Sequence, residues 1–288
     1  MGHMMPRAIL ALLAGFIVFS CKPQNAIPPA PRSVAIFIPG VVSGSPIYEM
    51  LVTGAQKAVD SVPGTELKVI EAGFNQAEWP DKLAAIAASG KFKLIVSSNP
   101  AMPELCARVA KDYPLVRFFI SDAYMKDNPS IHTVLYNQLE QGYLVGFLAG
   151  LIIDAETPAG SAKKAGMVIA QNYPTLDRLI QPGFLAGLKA VDGGISLETR
   201  LIGSWSDATR ASELARSLYD SGVPVILPIA GGAGQGVVAA AREKGHKLVW
   251  FDGSGYGLGS EVVGCAVLIQ DRLVEERLRV LLSGDTSL

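Results

Sequence analysis

Histidine and cysteine are scarce in this 288-residue chain. The histidines are His3, His132 and His246, and none of them stands at a Ser-His-Asp or metal-ligand spacing. Catalysis by a nucleophile with its base, or by a bound metal, therefore has no visible constellation. The cysteines, Cys21, Cys106 and Cys265, are equally scattered; Cys106 and Cys265 fall in apolar periodic segments and read as buried free thiols. An excess of charge is missing too. The 25 Lys and Arg against 26 Asp and Glu give a net charge of −1, which provides no basic field for a nucleic acid. Charged residues are only 18% of the chain, while glycine and alanine are plentiful, a composition suited to close α/β packing. No phosphate-loop lysine is present, and the glycine-rich Ala230–Gly236 does not fit G-x-G-x-x-G, so a phosphate cradle is not expected there. The N-terminal apolar run, Ala8–Phe19, is about a dozen residues, short for ~30 Å of hydrocarbon.

That run follows Arg7 and ends in Val18-Phe19-Ser20-Cys21. It reads as an export signal over residues 1–21, and its end resembles a bacterial lipobox, with Cys21 the residue to be lipidated. An ordinary signal peptide with an incidental cysteine is the alternative. Residues 22–32 carry Pro23, Pro28, Pro29 and Pro31 and read as an extended, semi-stiff tether. Lipidation at Cys21 implies a body anchored to a membrane and not embedded in it.

From Ser33 onward, short apolar strands alternate with helical stripes. Ser33–Ile38, Leu94–Ser98, Val116–Ser121, Ala165–Ala170, Val223–Ile229 and Lys247–Phe251 are runs of the kind buried in parallel sheets. Glu66–Glu71, Glu198–Gly203 and Val262–Leu268 complete the set. The period changes within His132–Asp154: a short strand through Tyr136 gives way to a helix in which Gly142, Gly146 and Gly150 leave one side without bulk. Glycine costs ~1 kcal/mol against alanine inside a helix, so three of them predict close backbone packing, against a sheet or a second lobe. The chain is expected to pass from one lobe to the next here, and to return through the flexible Gly253–Gly259. Lobe 1 is then 33–136 with 254–288, and lobe 2 is 137–253. Pro182 is expected to kink its helix or end the helix's first half, while Thr175 and Asp207 stand where helix caps belong.

The helix motif Glu140, Tyr143, Leu144, Gly146, Leu148, Ala149, Gly150, Leu151 resembles one in the basic membrane protein family. Gly183-Phe184 with Ala186-Gly187, Gly203-Ser204-Trp205 with Asp207, and the loop from Ala230 extend the resemblance over nearly all of the chain after residue 32. These are lipoprotein receptors of ABC importers, and purine nucleoside receptors belong to them. The resemblance implies a type I periplasmic binding fold: two doubly wound parallel-sheet lobes joined by a three-crossing hinge, closing on a small molecule and docking on a permease. It implies neither catalysis nor a catalytic cofactor.

Ligands of open α/β sheets bind outside the carboxyl ends of the strands. Candidates there are Ser43 and Tyr48 after the first strand, Asn99 after Leu94–Ser98, and Asp122 after Val116–Ser121. In the second half they are Trp205, Ala230, Gly231 and Asp252; Tyr136 and Gln270 complete the expected set. The resemblance assigns ring stacking to Trp205, sugar hydroxyls to Asp252 and a share in binding the ligand to Asp122. Plainer roles are open for several: a core tyrosine at Tyr48, a turn residue at Asn99, a cap at Asp122. The family's first-loop aspartate is absent, and Gln270-Asp271-Arg272 stand where it has serine and lysine. These departures favour riboflavin or a similar flavin as the transported ligand, with Tyr48 and Trp205 on its faces; a purine nucleoside is the alternative. A nucleoside hydrolase and the sensing domain of a regulator are the readings from other classes. The first lacks its catalytic groups, and the second has an export signal where a DNA-binding helix pair would stand.

Overall fold

The computed structural model describes Met1 and residues 33–284. The expected signal peptide, the lipidation site Cys21 and the tether lie outside the described residues.

The first lobe alternates strand and helix: β1 (Ser33–Ile38), α1 (Pro46–Asp60), β2 (Glu66–Glu71), α2 (Trp79–Ala88), β3 (Leu94–Ser98), α3 (Met102–Asp112), β4 (Arg117–Ser121) and β5 (Ile131–Val134). The second lobe repeats the pattern with α4 (Gln138–Glu156), β6 (Lys164–Ile169), α5 (Gln181–Val191), β7 (Ser196–Leu201), α6 (Ala208–Asp220), β8 (Val225–Ile229), α7 (Gly234–Lys244), β9 (Lys247–Asp252) and β10 (Val262–Val267), before a last helix α8 (Gln270–Leu282). The sheet orders are β2-β1-β3-β4-β5 and β10-β9-β8-β6-β7, with every pairing parallel. Counted from its own first strand, each sheet has the order 2-1-3-4-5, so the chain reverses direction between β1 and β3, and between β6 and β8. The crevice at such a switch point is where open α/β sheets take ligands.

Each sheet buries both faces. In lobe 1, Phe37, Ile95, Phe118 and Ile120 face α2 and α3, while Ile36, Val96 and Phe119 face α1 and α8. This two-sided burial explains why the central strands read as continuous apolar runs. In lobe 2, α4 and α5 cover one face of the sheet and α6 and α7 the other.

The glycines of α4 meet another helix and not a sheet. A Cβ built on Gly146 would lie 2.2 Å from the Phe184 carbonyl oxygen, and one on Gly142 would lie 2.5 Å from that of Ile180. The contact is reciprocal, since Gly183 and Gly187 of α5 approach the carbonyls of Leu139 and Tyr143 as closely. Pro182 falls in the first turn of α5, after a π-helical turn at Leu176–Ile180, so it ends the helix's first half as expected. Thr175 makes no side-chain cap there, whereas Asp207 accepts from the Arg210 amide at the start of α6. Gly146→Ala should destabilise lobe 2 by roughly 1–3 kcal/mol, the usual cost of overpacking. Urea unfolding checks this, and an unchanged midpoint would mean that the two helices can part at no cost.

Two expectations about the division into lobes are corrected. Strand β10 pairs with β9 in the second sheet, so lobe 2 runs to about Leu268 and does not stop at Asp252. The glycines of Gly253–Gly259 serve packing within and beside lobe 2: Gly255 sits against the Trp250 ring and Gly253 against Pro46. The described chain crosses between lobes twice, at Leu135–Asn137 and at Leu268–Ile269, where three crossings were expected. After the second crossing, α8 returns to lobe 1 and buries Val274, Leu278, Leu281 and Leu282 beside Leu51, Ala55 and Ala58 of α1. Cys106 is buried and free; Cys265 is free but only half-buried, its sulfur accepting from the Gly255 amide at 3.2 Å.

Candidate functional site

The carboxyl ends of both sheets face the seam between the lobes. Four non-glycine residues among those described have a left-handed backbone: Asn99 (φ 138°), Asp122 (54°), Asp127 (59°) and Asp252 (67°). Three of them are the polar residues at the ends of β3, β4 and β9. Strain of this kind persists where the surroundings enforce it, and it concentrates at binding sites.

Asp122 and Asp252 come from different lobes, and Asp122 feels the charge of Asp252. Burial, and then the charge of Asp252, holds the Asp122 carboxyl well above the usual carboxylate range. Burial likewise pushes Asp252 up to about 6, opposed by a hydrogen bond from Gln141. Among the described residues, no lysine or arginine is a cause of either shift. Both carboxylates are instead served by one turn of α4. Gln138 Nε2 donates to Asp122 Oδ1 at 2.5 Å, and Gln141 Nε2 donates to Asp252 Oδ1 at 3.1 Å.

Tyrosines surround the pair. The Tyr173 and Tyr136 hydroxyls are driven upward first by burial and then by the charges of Asp122 and Asp252. Tyr173 also touches Trp205, with ring centroids 6.0 Å apart and planes at 49°. The Trp205 indole donates to Gln171 Oε1 at 3.1 Å, and its ring lies over Gly231, where a Cβ would come within 3.2 Å. The left-handed backbone of Gly231 (φ 53°) and its missing side chain both allow this approach. Ala230 is buried just before it. Trp205 and Asp252, far apart in sequence, are thus linked through Tyr173.

Not every expected residue joins this cluster. Tyr48 is buried in the core of lobe 1, with its hydroxyl on the Pro39 carbonyl at 3.2 Å and its pKa pushed up to about 12 by burial. Its ring is not free to cover a ligand's face as expected. Its place in the α1 stripe with Leu51 and Ala55 was the signal for this. Asn99 is within hydrogen-bonding reach of Tyr48, and its Oδ1 also accepts from the Ala101 amide at 2.9 Å, so it makes the turn and lines the seam together. Ser43 is exposed and apart from the carboxylates. Gln270 is fully buried, but both ends of its amide are taken: Tyr136 donates to Oε1 at 3.1 Å, and Nε2 donates to the Ile47 carbonyl at 2.5 Å. It ties the two crossings together, with a protein partner already at each end of its amide.

The arrangement selects chemistry. Buried side-chain oxygens without a partner in the protein gather here: Ser98 Oγ and Ser121 Oγ at the ends of β3 and β4, and Gln138 Oε1 and Gln141 Oε1. Such atoms cost free energy unless something hydrogen-bonds to them. In the first-lobe loop, the Val42 and Gly44 amides are already bonded to Glu71 and Glu49 carboxylates, at 2.7 and 2.9 Å. A phosphate arriving there would meet acids, not free donors. The site therefore offers an aromatic wall on lobe 2 and a surplus of acceptors between the lobes. The lobes touch at its rim, where Gly44 meets Gly232. A groove of about 480 Å³ beside Pro46, Trp250 and Leu268 lies along the same seam, but none of these carboxylates or aromatic-wall residues lines it.

Comparison with known proteins agrees with this architecture. A solute-binding protein of an ABC transporter system from Aeropyrum pernix K1 superposes with a TM-score of 0.79 over 88% of this chain and 72% of that one, at 22% identity. The CD4+ T-cell-stimulating antigen of Listeria monocytogenes serovar 1/2a is 28% identical over 201 residues, 68% of this chain and 54% of its own length. The ABC transporter nucleoside-binding protein BmpA of Lactococcus lactis subsp. cremoris is 28% identical over 151 residues, 52% of this chain and 41% of its own. The matches thus span about half the length of these curated relatives. The profile of the ABC transporter substrate-binding proteins of PnrA-like type matches residues 32–287, and the chain belongs to that family.

Proposed function

We propose that this chain captures riboflavin, or a similar flavin, between its lobes and delivers it to the permease of an ABC importer. The observation that carries this reading is the joint Tyr173–Trp205 wall beside two carboxylates that no cation neutralises. The two rings are tilted 49° from one another, so one stacks on a flat isoalloxazine while the other packs against its edge, and aromatic side chains give such contact at low entropy cost. The ribityl hydroxyls are donors for Asp122 and Asp252. Tyr173 takes the stacking role first expected of Tyr48. A hinge closing on this ligand is stabilised only by the ligand's preference for the closed form. In this reading the body is held on the outer side of a membrane by lipid at Cys21.

A second reading has a specific observation behind it. A Lactococcus relative is a nucleoside-binding protein, and a nucleoside also joins a flat ring to a hydroxylated sugar. Titration separates the two. Riboflavin emission is expected to be quenched to a one-to-one end point, with inosine failing to displace it. Unquenched riboflavin together with tight inosine binding would reverse the ranking.

A further inference from the structure

Gln138 and Gln141 have no part in the sequence motifs, yet they sit at the centre of the site. Both are in the first turn of α4, three residues apart, which puts them on one face of the helix. Their relative exposures are 4% and 6%, so each is more than nine-tenths buried. The Gln138 amide reaches across the seam to Asp122 of lobe 1, while the Gln141 amide stays in lobe 2 on Asp252 and the Ala266 carbonyl. In each side chain the nitrogen is used and the oxygen has no partner in the protein. That oxygen belongs to the same planar amide, so it lies beside the carboxylate that the nitrogen holds. Packing alone does not account for two such residues. Leucine has the size for either position without burying an unpaired acceptor.

We infer that Gln138 and Gln141 are specificity-determining residues of the interlobe site, aiming Asp122 and Asp252 with their nitrogens and offering their oxygens to ligand hydroxyls. The inference rests on the proposed ligand class and deepens it. With two carboxylates and two amide oxygens, this pole of the site consists of acceptors. The part of the ligand it holds is an uncharged polyol rich in donors, and a phosphate ester at the same place meets two acids, with only tyrosine hydroxyls as donors. The Gln138–Asp122 bond joins the lobes, so recognition of the polyol is built into the closed arrangement. The titratable groups that feel this pole are Asp122, Asp252, Tyr136 and Tyr173, with Tyr48 behind Asp122 in lobe 1.

The test compares riboflavin with lumiflavin, which has the ring without the polyol, and with riboflavin 5′-phosphate. The native protein is expected to bind each of these at least about 100-fold more weakly than riboflavin, because a site built to hydrogen-bond hydroxyls rejects a ligand that lacks them. Gln138→Leu and Gln141→Leu should each weaken riboflavin roughly tenfold, as for one lost hydrogen bond, and leave lumiflavin unchanged. Equal losses for both flavins would show a merely structural role and overturn the inference, as would phosphate-ester binding as tight as riboflavin. If only nucleosides bind, the flavin reading falls, and inosine against hypoxanthine makes the same comparison. A readout that needs no ligand is the carbon-13 titration of the Asp252 carboxyl. Its midpoint should rise in Gln141→Leu, or in Gln141→Met should the leucine variant not fold; an unmoved midpoint rejects the positioning role even if no flavin binds.

Discussion

Asp252→Asn is expected to weaken the ligand roughly ten- to a hundredfold while making the ligand-free protein more stable at neutral pH. The first effect is the loss of charged hydrogen bonds to hydroxyls, each about 1.5–3 kcal/mol. The second follows from the sign of the shift. The folded Asp252 carboxyl is raised to about 6 from an ordinary 3.8, so folding favours its protonated form. Nothing is lost below the unfolded value. The cost builds as pH rises between the two values and is complete above about 6, where it is on the order of 3 kcal/mol. Asparagine never ionises and escapes it. Urea unfolding of the free protein at pH 4 and pH 7.5 should show the native chain losing ground relative to the variant. Calorimetric titration should show native affinity falling as pH drops below about 6, when Asp252 takes up a proton, and a shallower fall in the variant, where only Asp122 is left to titrate. An Asp252→Asn protein that binds as tightly as the native one would remove the carboxylate from the site.

Trp205→Ala is expected to cost about 1–3 kcal/mol of binding, the usual worth of one aromatic face against a flat heterocycle. It carries its own reporter. Of the three tryptophans, Trp79 and Trp250 are buried at 5% and 6% exposure, while Trp205 is half-buried at the seam. Quenching of protein emission by a bound flavin should therefore come mainly from Trp205 and largely vanish in the variant, even at ligand concentrations that restore occupancy. Persisting quenching with unchanged affinity would place the ring elsewhere and leave Tyr173 without its partner.

Much of this architecture can be read from residues that act locally. The buried strands are continuous apolar runs because both sheet faces are covered, and the polar residues ending them are conspicuous for that reason. Asp122, Asp252 and Trp205 stand out as candidates for that reason. What the sequence hid depends on pairing across distance. The glycines of Gly253–Gly259 look like a hinge, but whether β10 joins the first or the second sheet is decided by its match to β9, which no local pattern records. Gln138 and Gln141 were hidden for a different reason. Helix α4 is apolar on nearly all sides, with Leu144, Phe147 and Leu151 exposed, so its hydrophobic pattern does not show which polar residues turn inward. Tyr173 followed a strand in plain view but lacked a motif to single it out. Tyr48 is an aromatic residue close behind a strand end, but its position in the α1 stripe carries it into the core of lobe 1.

The return of α8 to lobe 1 also sets an order of assembly. Lobe 2 is one unbroken stretch of chain from Gln138 to Leu268, and it can pack as soon as that stretch is synthesised. Lobe 1 begins first but must wait: the flank of its sheet beside α1 stays bare until Val274, Leu278, Leu281 and Leu282 emerge from the ribosome. The half of the molecule made earliest is therefore the half completed last.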